Sequence, residues 1–201
     1  MPRVLTETDL ADFREKLIAA ATRIFAEKGR EGFTMREVAA ELGVSAMTPY
    51  RYFKDKDEIL AAVRASAFDR FAQVMEDAFA SAQDPVARGA AVGEAYIRFA
   101  FGEPESYRLM FDMSQPDEAN YPDLVRAGER ARRTMTDHVR AMVGAGLLEG
   151  DPVLIGHVYW AALHGAVVLE LAGKLGAECD FETLSREAFR ALSAGFAPKP
   201  R

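Results

Sequence analysis

Apolar residues recur at three- and four-residue spacing almost from one end of this chain to the other, and alternating β-branched runs are absent. Such a pattern restricts the fold class to all-α, because each stripe marks one helix face and each face needs another helix to cover it. The 201 residues suffice for one large helical domain or for a small head on a larger body. At 49% hydrophobic and 28% charged, the chain has the balance of a globular protein and not of a disordered one. No apolar run approaches the roughly 20 residues of a membrane span. Met1 to Leu10 carries acids where a secretory signal carries bases, so a cytoplasmic location without a membrane partner is expected. The lone cysteine, Cys179, excludes an intrachain disulfide and receives no role.

Punctuation divides the pattern into about nine helices. Leu10, Phe13, Leu17, Ile18, Ala21, Ile24 and Phe25 form one stripe that should stop at Gly29, a residue free to take the left-handed conformation. Thr34 and Glu37 have the spacing of a capping box, in which each side chain satisfies a backbone N–H at the start of a second helix running to about Leu42. Gly43 permits a sharp turn, and Ser45 is a natural N-cap for a third helix through about Tyr52. Asp55 or Asp57 caps a long fourth helix that would link head to body. Asp84-Pro85, Glu103-Pro104 and Asp151-Pro152 open the fifth, sixth and eighth helices, with proline at the first helical position. Ser114 to Pro122 reads as a loop before a seventh helix, about Asp123 to Val143. Asp180 caps the last helix, and the tail from Pro198 should fray. The expected domains are a head over residues 1–56 and a body over 57–201.

Phe33 to Phe53, FTMREVAAELGVSAMTPYRYF, has the mechanics of a DNA-binding helix-turn-helix. Val38 and Leu42 supply buried contacts, Ala39 allows a close crossing, and Val44 anchors the turn. Ser45, Met47 and Thr48 would lie at base edges, Thr48 by hydrogen bond and Met47 against a thymine methyl. Tyr50, Arg51 and Lys54 would reach phosphates, while Tyr52 and Phe53 pack inside. Thr34 and Arg36, at the start of the second helix, complete the candidate DNA contacts. Pro49 forfeits one early intrahelical bond. A net charge of −6 opposes DNA binding on average, but residues 61–201 hold most of it, with fifteen basic against twenty acidic residues. Residues 1–60 hold ten against eleven, and Arg36, Arg51, Lys54 and Lys56 fall near the reader. Two short helices and a glycine turn also occur in ordinary bundles.

The run FAEKGREGFTMREVAAELGVSAMTPYRYFKDKDEIL resembles the DNA-binding head of the TetR family, over about residues 10 to 60. The matching positions include Phe25, Gly29, Thr34, Val38, Ala39, Gly43, Val44, Tyr50, Phe53, Lys54, Lys56 and Leu60. By motif, the family's phosphate-contacting tyrosine and lysine correspond to Tyr50 and Lys54. Arg51-Tyr52 departs from the aromatic and histidine often found there, which leaves the base preference open. The resemblance implies a homodimeric repressor that binds double-stranded operator DNA and is released by a small-molecule effector.

Val153 to Leu175 is apolar on much of its circumference, and Gly156, Ala161, Ala162, Gly165 and Ala166 would admit a partner helix. With Phe181, Leu184, Ala188, Leu192 and Phe196 of the last helix it forms the expected dimer surface. Trp160, His164 and Gly165 are similar to the Trp-His-Gly sensor type of one TetR branch; an indole beside a core histidine accounts for the same residues without a ligand. An apolar effector cavity would draw on Phe68, Phe71, Phe99, Tyr107, Met110, Phe111, Met113, His138, Met142, Tyr159, Trp160 and His164, which could equally be core. His157 and His164 lie too far apart for joint chelation, so no metal is expected. The chain shows no G-x-S-x-G, Walker or dinucleotide-binding pattern. Neither catalytic residues nor a cofactor are therefore assigned.

Overall fold

Every helical boundary but one lies close to its sequence signal in the structure, a computed structural model that describes residues 7–112 and 117–199. Eight α-helices occur among these residues: α1 (Glu7–Gly32), α2 (Met35–Glu41), α3 (Lys56–Ala80), α4 (Pro85–Gly102), α5 (Pro104–Met110), α6 (Pro122–Gly144), α7 (Pro152–Leu171) and α8 (Phe181–Gly195). Asp84, Asp151 and Asp180 each cap as expected, their carboxylates accepting N–H groups of the first turn of α4, α7 and α8. Asp55, not Asp57, caps α3: its Oδ1 accepts the Glu58 N–H at 2.9 Å, while Asp57 pairs with Arg30 at 3.1 Å. Gly29 breaks the regular part of α1 at φ 65°, and one irregular turn continues to Gly32. Met113 and residues 114–116 of the expected loop lie outside the described residues, as do Pro200 and Arg201; Glu118–Asn120 forms a 3₁₀ turn.

The exception is the expected third helix, Ser45 to Tyr52, which is a tight turn followed by 3₁₀ geometry over Pro49–Arg51. Pro49 has no N–H to give to the Ser45 carbonyl, so that oxygen takes the Thr48 N–H instead, at 2.8 Å. The three-residue spacing then persists, with Arg51 N–H to Thr48 O at 3.1 Å and Tyr52 N–H to Pro49 O at 3.0 Å. The capping box is also only half formed. Thr34 Oγ1 accepts the Glu37 N–H at 3.2 Å, but Glu37 takes the Thr34 hydroxyl at 2.9 Å and the Lys28 ammonium at 2.5 Å.

The described residues form two compact units. The first contains 1–69 and 105–128, the second 70–104 and 129–201. The expected boundary after residue 56 therefore falls at the start of α3, whereas the compact units divide within it. In the first unit, Leu17, Ala21, Phe33, Val38, Phe53, Ile59 and Leu60 form one core that includes Leu109 of α5. Arg64 is buried there, its guanidinium donating to the Met110 carbonyl at 3.2 Å and to Glu118 at 2.5 Å.

In the second unit α7 packs against α8 and α4. By length and composition it is apolar enough to cross a membrane, which corrects the expectation that no such run exists. Its inner face is covered: Ile155 and Tyr159 pack with Val139 and Leu148, and with Phe189, Leu192 and Phe196 of α8. The small residues of α7 do not share one face. Gly156 and Ala166 are buried, whereas Ala161 is exposed and a Cβ at Gly165 would meet nothing within 4 Å.

Candidate functional site

Gly43, at φ +65°, closes α2 in a Schellman arrangement, with its N–H on Ala40 O at 3.1 Å and the Val44 N–H on Ala39 O at 2.9 Å. That closure turns the chain sharply, and buried Pro49 and Phe53 pin the far side of the turn to the core. The segment between them is displayed outward. Ser45, Met47, Tyr50, Arg51 and Lys54 are all exposed, Met47 by 68% and Tyr50 by 47%, and Thr48 is half-buried. An exposed methionine of this size at a turn has no packing role. Tyr52 and Phe53 turn inward as expected, Tyr52 meeting the Phe13 ring at 5.2 Å and Phe53 lying beneath the Arg14 guanidinium at 4.9 Å.

The cations of this unit divide into two sets. Arg23, Lys28 and Arg30 are paired with Glu41, Glu37 and Asp57. Lys56 is withdrawn as well, since its ammonium donates to the Arg30 carbonyl at 2.6 Å and lies 5.8 Å from the Phe33 ring centre. It holds the end of α1 against the start of α3, which removes it from the expected basic patch. Arg36, Arg51 and Lys54 are exposed and enter no ion pair among the described residues. These three remain available to phosphates without breaking an existing contact. Thr34 is exposed but engaged with Glu37.

The candidate cavity residues separate. Phe68, Tyr107, Met110 and Phe111 belong to the first unit, where Phe111 packs edge-on against Phe68 at 6.2 Å and against Tyr107 at 5.1 Å. Phe71, Phe99, His138, Met142, Trp160 and His164 belong to the second. There Phe71 packs edge-on against Tyr96 at 5.4 Å and Phe99 at 5.2 Å. Tyr96 also ties together the Trp-His pair: its hydroxyl accepts the Trp160 indole N–H at 3.2 Å and lies 3.4 Å from His164 Nδ1. Tyr96 had no distinguishing signal in the sequence.

Two openings in this unit share part of their lining. An inner recess of about 40 Å³ lies among Tyr96, Met135, His138, Trp160 and Leu163. An outer groove of about 620 Å³ runs between α4 and α8, lined by Val86, Gly93, Ile97, Met142, Ser185 and Phe189. Gly89, Gly93, His138, Tyr159 and Phe189 border both. The α8 lining was missed at the level of sequence because Phe189 and Ser185 look like ordinary positions of an amphipathic stripe. Gly89 and Gly93, one turn apart inside α4, were the available signal, since glycine weakens a helix interior. No group of three or more His, Cys, Asp or Glu side chains among the described residues is arranged to hold a metal.

Burial pushes the imidazoles of His138 and His164 below the ordinary value of 6.5. Folded rings resist protons that the unfolded chain accepts, so stability is complete above about pH 6.5 and falls as the pH drops below it. The urea midpoint of wild type is expected to fall between about pH 7.5 and pH 5.5 by more than that of His138→Gln. An equal fall in both would remove His138 as a cause.

Comparison with known proteins agrees with this architecture. Residues 17–63 match the family described as "Bacterial regulatory proteins, tetR family", and residues 89–192 match "Tetracyclin repressor-like, C-terminal domain". The chain belongs to the TetR family. A curated relative, the HTH-type transcriptional regulator HbdR of Aromatoleum sp. (strain CIB), is 28% identical over 147 residues, 72% of this chain and 64% of that protein. The HTH-type transcriptional activator FasR of Mycolicibacterium smegmatis is 29% identical over 126 residues, 63% of this chain and 56% of its own length. The chain thus spans less than two thirds of these relatives. Among solved structures, a protein of unknown function from Rhodococcus sp. RHA1 superposes with a TM-score of 0.79 at 29% identity, covering 92% of this chain and 95% of that one.

Proposed function

We propose that the protein is a sequence-specific, DNA-binding transcriptional regulator, a homodimeric repressor released from its operator by a small, largely apolar ligand. The observation that carries this reading is the outward turn from Ser45 to Lys54, with two cations that enter no ion pair among the described residues beside exposed Met47 and Tyr50. Thr34, Arg36, Tyr50, Arg51 and Lys54 would position the duplex backbone, and Ser45, Met47 and Thr48 would read base edges. Two such turns related by a dimer axis, roughly 34–36 Å apart, fit a near-palindromic site.

The dimer would form through α7 and α8. Leu154, His157, Ala161 and Val168 are exposed along the α7 face opposite its buried one, and Gly165 leaves room for a close approach. On α8 the contact would draw on exposed Glu187, Ala191 and Ala194 beside half-buried Leu184 and Ala188 of the apolar stripe, since Phe181 packs on Phe101 at 5.0 Å and Leu192 and Phe196 turn into the core. Trp160, His164 and Gly165 would serve as a Trp-His-Gly sensor wall, with Trp160 bordering the inner recess. Ligand would favour a conformation with the wrong head spacing, and its differential affinity sets how far repression is relieved. Helix α3, continuous from the first unit into the second, is the lever.

The test is selection of bound genomic fragments by the purified protein, followed by binding to the recovered site. Recovery of a near-palindromic sequence supports the reading; indifference to every duplex overturns it. Thr48→Ala is expected to change the selected-site profile while circular dichroism stays as in wild type. An identical profile would remove Thr48 from the base-reading set.

A further inference from the structure

We propose that the groove between α4 and α8 binds a neutral, largely apolar small molecule bearing a hydroxyl or N–H donor, which it presents to His138. This deepens the effector reading above and rests on it. The groove's 620 Å³ lies within the range of about 300–1,000 Å³ typical of small-molecule sites. Its apolar walls are Val86, Ile97, Met142 and Phe189.

Gly93 keeps the space open. A Cβ built there would meet nothing within 4 Å, so this glycine weakens α4 without permitting any close contact. One turn earlier, a Cβ at Gly89 would stand 3.6 Å from Met142 Sδ and 3.8 Å from His138 Cδ2. The Cδ2 edge of His138, which adjoins Nε2, therefore faces α4 and the opening.

The chemistry of His138 selects the polar group. Its Nδ1 lies 3.3 Å from the Thr134 carbonyl, which only accepts, so Nδ1 carries the proton. In the neutral ring Nε2 is then an acceptor, and it has no partner among the described residues. Burial favours that neutral form. Such an atom calls for a donor from the ligand. Tyr159 and Ser193, hydrogen-bonded to each other at 2.9 Å, supply a second polar point on the wall.

The rim selects charge. Glu94 and Glu182 stand there with one cation, Arg186, which lies 3.5 Å from Glu182. Glu94 enters no ion pair among the described residues, so the rim is net negative and repels a carboxylate. An ammonium passing the rim would lose its water against apolar walls, with only neutral acceptors inside. A neutral alcohol, phenol or amide meets neither penalty.

The test is equilibrium dialysis of the full chain, without DNA, against two matched sets: 1-decanol, decanoate and decylamine, and 4-butylphenol, 4-butylbenzoate and 4-butylbenzylamine. Bound compound is quantified by mass spectrometry, and the fluorescence of Trp160, the single tryptophan, reports occupancy of the inner recess for the decyl set. At least one neutral member is expected to bind about tenfold more tightly than its carboxylate and its amine. His138→Phe should erase that advantage, and Gly93→Leu should weaken binding of the neutral compound by about tenfold or more with the helical dichroism retained. Equal or tighter binding of the carboxylates or amines, no binding by any of the six, or unchanged affinity in Gly93→Leu would overturn the proposal. Because no DNA is present, a chain that binds the alcohol or phenol but no operator would sink the regulator reading alone. One that binds operator but none of the compounds would sink only this one.

Discussion

Replacing Arg51 and Lys54 together by alanine is expected to flatten the salt dependence of operator binding by about three to four units in a plot of log K against log salt. Each phosphate neutralised releases condensed counterions and adds about 0.9 to the slope, and a dimer loses four such contacts when both cations are removed from each subunit. At about 0.1 M salt this amounts to roughly a thousandfold loss in affinity. The loss should fall on all duplexes alike, because neither side chain is assigned to a base edge. Stability should change little, since both side chains are exposed and enter no ion pair among the described residues. Competition titrations at three or more salt concentrations measure the slope. A parallel line for wild type and variant would remove both residues from the phosphate set, and a slope change confined to the selected site would assign them to sequence reading instead.

The second large effect concerns the fold. Gly156→Val is expected to destabilise the protein by about 3 kcal/mol. A Cβ at this position would stand 2.8 Å from the Met135 carbonyl oxygen and 3.2 Å from Thr136 Cα, both backbone atoms of α6 that no rotamer change can move aside. The helices would have to part where α6 and α7 cross, and the cluster of Val139, Ile155 and Tyr159 would lose packing with them. Gly93→Ala, in the same unit, adds the same Cβ to open space and should instead stabilise by about 0.5–1 kcal/mol, from helix propensity alone. Urea denaturation of the two variants beside wild type checks the opposite signs. If Gly156→Val unfolds at the wild-type midpoint, the close crossing is not a constraint on the native state.

Local chemistry made much of this protein legible in one dimension. Asp84, Asp151 and Asp180 announced helix starts because a capping carboxylate needs only its own next three residues to act. Gly43 announced the turn because positive φ is a property of a single residue. The inward placement of Phe53 and the outward placement of Met47 followed from a short segment with one covered side. Pro49 is legible in the sequence as a missing donor, but the size of its effect on the segment is not. In a segment of eight residues with few intrahelical bonds, losing one was enough to shift the turn to 3₁₀ spacing.

What depended on partners distant in the chain was decided only by the tertiary structure. Lys56 looked like a member of the basic patch, and its engagement with the Arg30 carbonyl could be seen only once α1 and α3 were packed together. The aromatic, methionine and histidine residues named for one effector cavity, Met113 apart, divided between two compact units, because helical periodicity says which face is covered and nothing about what covers it. The same limit hid Tyr96 between Trp160 and His164, and sent Leu192 and Phe196 to the core of their own subunit. The amino-acid order alone thus determined the helices other than the expected third, most of their ends and the exposed turn of the head, since those are set by bonds and dihedrals a few residues apart. The groove, its histidine acceptor and the division of surface from core came from side chains that meet only after the helices have packed.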